Sequence, residues 1–308
     1  MVKQSGEYEY KFTVFTPTHN RVNTLKRVYN SLKKQNYTNF EWVIVDDGSI
    51  DNTSNVVRQW MKENFLTIRY FYKENGGKHT AVNLGVREAK GEFFLILDSD
   101  DACVPHTLET FLKSWEEIPK TKKDKFTGVT AVGMDFSGNV VGTYYPYDNW
   151  DVSHLEILTK YKVKGDKWGF NRTEIMRKFP FPEIEGETFI SEGLIWNRIS
   201  MQYIKRNINE KLKYIEYQSD GLSASSLKIR IKNPKGTRLY YRELISLRIN
   251  RKWKIRSILN YIRFSLHGKI RLKRIVLDSF LSLLTGILLP IGYLIYIKDL
   301  IYLRFTNK

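Results

Sequence analysis

Four short runs of apolar and β-branched residues, KFTVFT (11–16), FEWVIVD (40–46), TIRYFY (67–72) and EFFLILD (92–98), each lead into a stretch whose apolar positions recur at helical spacing. Those stretches are RVNTLKRVYNSLKKQ, DNTSNVVRQWMKEN, KHTAVNLGVREAK and PHTLETFLKSWEE. Alternation of this kind predicts an α/β fold built on a mostly parallel sheet with helices on its faces. In such sheets ligands bind beyond the carboxyl ends of the strands, so chemistry-bearing residues are expected just after each run.

Polar clusters stand at those positions. The first run ends at Thr16-Pro17-Thr18-His19-Asn20, the second at Asp46-Asp47-Gly48-Ser49, the third at Glu74-Asn75-Gly76-Gly77-Lys78 and the fourth at Asp98-Ser99-Asp100-Asp101. Any one of them reads equally well as a turn or a helix cap. Four in succession on one predicted sheet edge point to a binding site.

The chemistry of the clusters narrows the ligand. Asp98, Asp100 and Asp101 repel one another unless a cation sits among them, and oxygen-only ligands suit Mg²⁺ or Mn²⁺ bridging to substrate phosphates. Lys78, behind two glycines, is placed to meet a phosphate or a base carbonyl. The segment is not a P-loop, because Tyr72 stands where the first glycine is needed and His79 where Ser or Thr is needed. No GxGxxG follows the first run, which argues against a dinucleotide site.

At this point the residues carry a family resemblance. TPTHN, VDDGSIDNT, ENGGKHTAVNLG, GEFFLILDSDD and EGETFISEGLIWNRI resemble the successive signatures of family 2 inverting glycosyltransferases of the GT-A fold, over about residues 11 to 220. The resemblance is closest to bacterial enzymes that build surface polysaccharides. It implies that Thr16, Pro17, Thr18 and Asp47 hold a nucleotide base, most often uridine, and that Lys78 lines the same pocket. DSDD then resembles the DXD motif, with Asp98 and Ser99 on the donor side, Asp100 reaching the metal on the diphosphate and Asp101 able to share that role. Glu192 takes the position of the general base, with Ser191 where many relatives carry an acid and Arg198 six residues beyond Glu192. Asp220 is a further candidate on the metal or acceptor side.

The implied function is transfer of a sugar, with inversion, from a nucleoside diphosphate (UDP favoured) to a hydroxyl of a glycan or lipid-linked acceptor, with Mn²⁺ or Mg²⁺ as cofactor. A polyprenyl-phosphate sugar transferase is the nearest alternative. Its acceptor is already ionised and needs no base. Specificity is expected in the loops from Tyr144 to Gly169.

Charge changes the picture beyond Asp220. The chain carries a net +17, yet residues 221–308 hold 19 Lys and Arg against 3 Asp and Glu, leaving 31 against 30 before them. That field suits nucleic acid or anionic lipid alike. Long aliphatic stretches among the basic residues favour lipid, and the acidic cluster opposes a phosphate backbone unless metal intervenes, so no nucleic-acid partner is expected.

From Thr237 to about Arg274 helices with basic faces are expected. Residues 279–297 then run uncharged for 19 positions, about 29 Å as a helix and barely a bilayer's thickness, with Pro290 expected to kink it. The expectation is a catalytic domain over 1–220 and a membrane-attaching extension over 221–308, lying in one cytoplasmic leaflet, with a true span as the alternative. A single cysteine, Cys103, excludes an intrachain disulfide framework and suits a reducing compartment. The N-terminus has no apolar stretch of signal-peptide length, so the catalytic part is expected in the cytoplasm.

Overall fold

The computed structural model describes residues 8–161, 163–216 and 226–306. The four strand–helix units form in order: β1 (Tyr10–Thr18), α1 (Val22–Leu32), β2 (Phe40–Asp47), α2 (Thr53–Glu63), β3 (Ile68–Lys73), α3 (Lys78–Glu88) and β4 (Gly91–Ile96), with α4 (Thr107–Glu116) after the acidic turn. β1 pairs in parallel with β2 on one side and β4 on the other, and β2 with β3. Every position of β2 is buried, as expected of a parallel strand covered on both faces. The amphipathic stripes are buried as well, through Leu25, Val28 and Leu32 on α1 and Val57 and Trp60 on α2.

The other half of the sheet lay outside the four runs. It consists of β5 (Ala102–Cys103), β6 (Phe126–Met134), β7 (Trp150–Val152), β8 (Lys167–Arg172) and β9 (Ile204–Tyr214), with α5 (His154–Lys160), α6 (Thr173–Lys178) and α7 (Gly193–Ser200) between them. The full order is β3-β2-β1-β4-β8-β6-β9-β5, with β7 on β9. β8 is antiparallel to both neighbours, so β6 and β9 again run parallel to β4. Phe93, Phe111, Trp115, Trp168 and Phe170 form an aromatic cluster that joins the two halves.

The chain divides into two compact units, one of residues up to 181 with 198–216 and the other of 182–197 with the tail. The tail is helical: α8 (Ser226–Lys232), α9 (Pro234–Ser246), α10 (Arg251–His267), α11 (Leu272–Leu277) and α12 (Ser282–Thr306). Ile245, Ile258, Tyr261, Ile262 and Ile275 make its core, with Leu284, Leu288 and Leu289 packed against it. α12 is one helix that carries Pro290 within it, at the position where a kink was expected.

Candidate active site

The ends of β1, β2 and β4 and the turn after β3 meet at one edge of the sheet, and most of the predicted donor-side residues meet with them. Thr16 and Thr18 are buried near the end of β1. Trp42 Nε1 donates to Thr16 Oγ1 at 2.9 Å, whereas Thr18 Oγ1 is buried without a hydrogen-bond partner among the described residues. A buried hydroxyl left unsatisfied costs free energy, so Thr18 Oγ1 is placed as a ligand contact would be. Pro17 lies between them, opposite Val45 of β2.

Asp47 builds the neighbouring turn. Its Oδ1 accepts from Lys73 Nζ at 2.6 Å and Gly76 N at 2.9 Å, and its Oδ2 from Gly77 N at 2.7 Å. Gly77 has φ +91°, a conformation that glycine adopts without strain, and it caps α3, so Lys78 is the first helical residue. His19 Nδ1 and Asn75 Nδ2 both meet the Asp47 carbonyl, at 2.9 and 3.0 Å. The second polar cluster and the third are therefore one structure.

The acidic turn splits its three carboxylates between three environments. Asp98 Oδ1 lies 2.6 Å from Lys78 Nζ. Burial would raise the Asp98 pKa, but the Lys78 and Lys213 ammoniums outweigh it and hold the carboxyl below its ordinary range. Asp101 is buried and accepts from Lys213 Nζ at 2.7 Å, and that same ammonium lies 3.1 Å from Asp166. Burial works against the Lys213 charge, yet Asp166, Asp101 and Asp98 together hold its pKa above the usual lysine value. Asp100 makes no ion pair among the described residues, and burial followed by the charge of Asp98 pushes its pKa up. Ser99 is buried between them.

The surrounding elements fix the turn. Leu97 N donates to Phe15 O at 2.8 Å, holding the chain beside β1 after β4 ends. β5 then pairs with the end of β9 and sets Cys103 opposite Lys213. Arg27 Nη1 donates to the Asp100 carbonyl at 3.0 Å and Nη2 to Glu216 at 2.9 Å, with the guanidinium over the ring of Phe136. Sequence reasoning passed over Lys213, Lys73 and Arg27. Their partners are 112, 26 and 73 residues away, and no local pattern marks them.

Among the described residues no group of three His, Cys, Asp or Glu could hold a cation by itself. The donor set fits a hard divalent ion in another way. Asp100 offers carboxylate oxygens in a like-charged turn, and the other coordination positions of Mg²⁺ or Mn²⁺ are commonly filled by water and substrate phosphate. Lys213 already neutralises Asp101.

Glu192 belongs to the other compact unit, immediately before α7, where Ile195 N and Trp196 N donate to its carbonyl. The neighbouring acid, Glu187, is committed elsewhere in that unit. Its two carboxylate oxygens accept from Lys235 N and Gly236 N, both at 2.6 Å, at the start of α9. Glu187 thus caps orphan amides at a helix N-terminus. Asp220 lies outside the described residues.

The family description "Glycosyl transferase family 2" matches residues 13–129. An uncharacterized glycosyltransferase of Nostoc sp. is 34% identical over 226 residues, which is 70% of this chain and 68% of that protein. An uncharacterized glycosyltransferase of Rickettsia felis is 38% identical over 110 residues, 36% of this chain, and the match spans only 18% of the Rickettsia protein. Among solved structures, S. aureus TarS 1-349 in complex with UDP-GlcNAc superposes with a TM-score of 0.61 at 20% identity, covering 87% of this chain and 79% of that one. The mannosyltransferase PcManGT of Pyrobaculum calidifontis, in complex with GDP-Man and Mn²⁺, gives 0.54 at 19%, covering 94% and 81%. At these identities the structural likeness establishes the fold.

Proposed function

Because this chain belongs to glycosyl transferase family 2, we propose that it transfers a sugar from a UDP-sugar to a hydroxyl of a glycan or lipid-linked acceptor, with inversion, in building a cell-surface polysaccharide. One observation carries the reading. At the edge where the base-side residues gather, Asp98 and Asp101 are taken by lysines, and Asp100 is the carboxylate of the turn without an ion pair among the described residues. Thr16, Pro17 and Thr18 receive the base, with the Thr18 hydroxyl as the unsatisfied partner, and Asp47 shapes the turn beside it. Lys78 and Asp98 meet the ribose and phosphates, and donor binding exchanges their mutual ion pair for contacts with the ligand.

Asp100 would hold the divalent ion, Mn²⁺ or Mg²⁺. When bound, that ion supplies Lewis-acid charge to the departing diphosphate. Glu192 takes the proton from the acceptor hydroxyl as its oxygen attacks the anomeric carbon. The bond to the nucleoside diphosphate breaks on the opposite face, which inverts the configuration. Residues 1–220 serve catalysis, and residues 221–308 attach the protein to the cytoplasmic face of an anionic membrane through their basic and apolar surfaces.

The test separates two neighbouring acids. Release of UDP from the preferred UDP-sugar should fall by about 10²- to 10⁴-fold in Glu192→Gln, with donor affinity retained. Glu187→Gln, which weakens a helix cap, should keep turnover and lose about 1 kcal/mol of stability. A folded, inactive Glu187→Gln beside an active Glu192→Gln would reverse the assignment. Transfer indifferent to both changes would favour a phosphate acceptor.

A further inference from the structure

The tail unit presents an uncovered apolar face and, beside it, a basic cleft. On α12, Leu283, Ile287, Ile291, Leu294, Ile301 and Phe305 are exposed, Leu283 by 82% and Phe305 by 77%. Their spacings of three, four and seven residues place them along one side of the helix. The other side meets α10. A Cβ on Gly292 would come within 2.6 Å of Ile262, so the glycine permits close contact there. Asp299 accepts from Arg263 Nε at 2.5 Å and pairs with His267 Nε2 at 2.9 Å. The His267 ring lies 4.8 Å from that of Tyr296.

Where the chain turns from α10 into α11, Lys269, Arg271, Lys273, Arg274, Leu277 and Asp278 line an open cleft of about 670 Å³. Asp278 is occupied by Arg238 at 2.9 Å and Arg274 at 3.5 Å. Lys269, Arg271 and Lys273 make no ion pair among the described residues. Leu277 and Phe280, both more than half exposed, lead from the cleft to the start of the α12 stripe.

We propose that α12 lies in the plane of one membrane leaflet, its apolar stripe among the acyl chains, and that the cleft receives the phosphate of an anionic phospholipid headgroup. The proposal rests on the membrane attachment proposed above and is independent of the transfer reaction. Length alone would permit a span, since a helix of 25 residues reaches about 37 Å. Packing opposes it. Ile262 lies against Gly292 and His267 against Tyr296, so α10 accompanies the middle of α12 and would enter the hydrocarbon with it. α10 carries Arg251, Lys252, Lys254, Arg256 and Arg263, and each such charge costs roughly 2.5–3.5 kcal/mol at the centre of a membrane helix. Lying flat leaves those charges in water on the side of α12 away from the bilayer, while the basic residues of the cleft stand at the lipid surface, where each contributes about 1 kcal/mol.

The experiment is sedimentation of the full chain with sealed vesicles, either phosphatidylcholine alone or phosphatidylcholine with phosphatidylglycerol. Binding should require the anionic lipid, and free inorganic phosphate at the same ionic strength should not replace it. Lys269→Gln/Arg271→Gln/Lys273→Gln should weaken binding by about a hundredfold. Arg248→Gln/Arg251→Gln/Lys252→Gln, with the same loss of charge away from the cleft, should weaken it less than about tenfold. Equal losses, or equal binding to neutral vesicles, would overturn the headgroup site.

Single cysteines at Lys252 and Arg304 report the orientation through a membrane-impermeant maleimide, because native Cys103 is buried. Both should react from outside. Protection of Arg304→Cys until detergent is added would overturn the in-plane placement. Absence of any vesicle binding would remove the membrane attachment itself and leave nucleotide binding untouched.

Discussion

Lys213 sits in β9 with its side chain almost wholly enclosed, 2.7 Å from Asp101 and 3.1 Å from Asp166, and its ammonium faces the ring of Trp168. Removing one partner of a buried pair leaves a charge with nothing to offset its lost hydration. Lys213→Met should therefore cost about 3–5 kcal/mol, read as a lower urea midpoint, while Lys213→Arg should lose less. An unchanged midpoint in the methionine variant would show that the acidic turn is held by something else. At this scale the sequence displayed the carboxylates but not the lysines that face them. The family resemblance assigned Asp98 and Asp100 different roles, and only the fold shows that Asp98 and Asp101 face lysines while Asp100 makes no ion pair among the described residues. Glu187 stands five residues before Glu192, and only the fold shows that the backbone amides of Lys235 and Gly236 occupy its carboxylate.

The elements that sequence revealed best are those with a continuous apolar run followed by an amphipathic helix, because parallel strands covered on both faces leave that trace. β5 to β9 leave little trace. Two of them are two or three residues long, and in β9 Ile204, Ile208 and Leu212 are separated by runs of three polar residues, with the charged Lys213 buried. α5 shows how such an element is tuned. Ser153 caps it, accepting from Glu156 N, and His154 follows as its first residue. Burial, with the Lys205 charge adding, pushes the His154 pKa down to about 4. The unfolded chain then binds a proton at this site below about pH 6.5 that the folded one refuses. The His154 contribution is complete above that pH and is lost as pH falls toward 4, by about 1–3 kcal/mol. Denaturation midpoints across this window should slope in the wild type and slope less in His154→Gln. Parallel slopes would show that His154 is not the group responsible.

For the molecule as a whole, the charge profile distinguishes a nearly neutral region from a basic tail, and the two call for different partners. The nearly neutral region has an acidic turn, which in the proposed function a nucleoside diphosphate would approach with a cation, and the tail has a positive field of the kind an anionic surface attracts. This division was legible from residue counts alone. For residues 279–297 the sequence favoured a segment in one leaflet over a span, and the packing of α12 against α10 supplies the physical argument for the in-plane placement proposed above.

The central claim is the metal-dependent donor site, and calorimetry with UDP tests it most directly, with GDP and CDP as controls. The account predicts that UDP binds in the presence of Mn²⁺, that a chelator abolishes most of the binding, and that Asp98→Ala/Asp100→Ala does the same in a folded protein. Failure of every nucleotide to bind, or undiminished binding by the double variant, would contradict it.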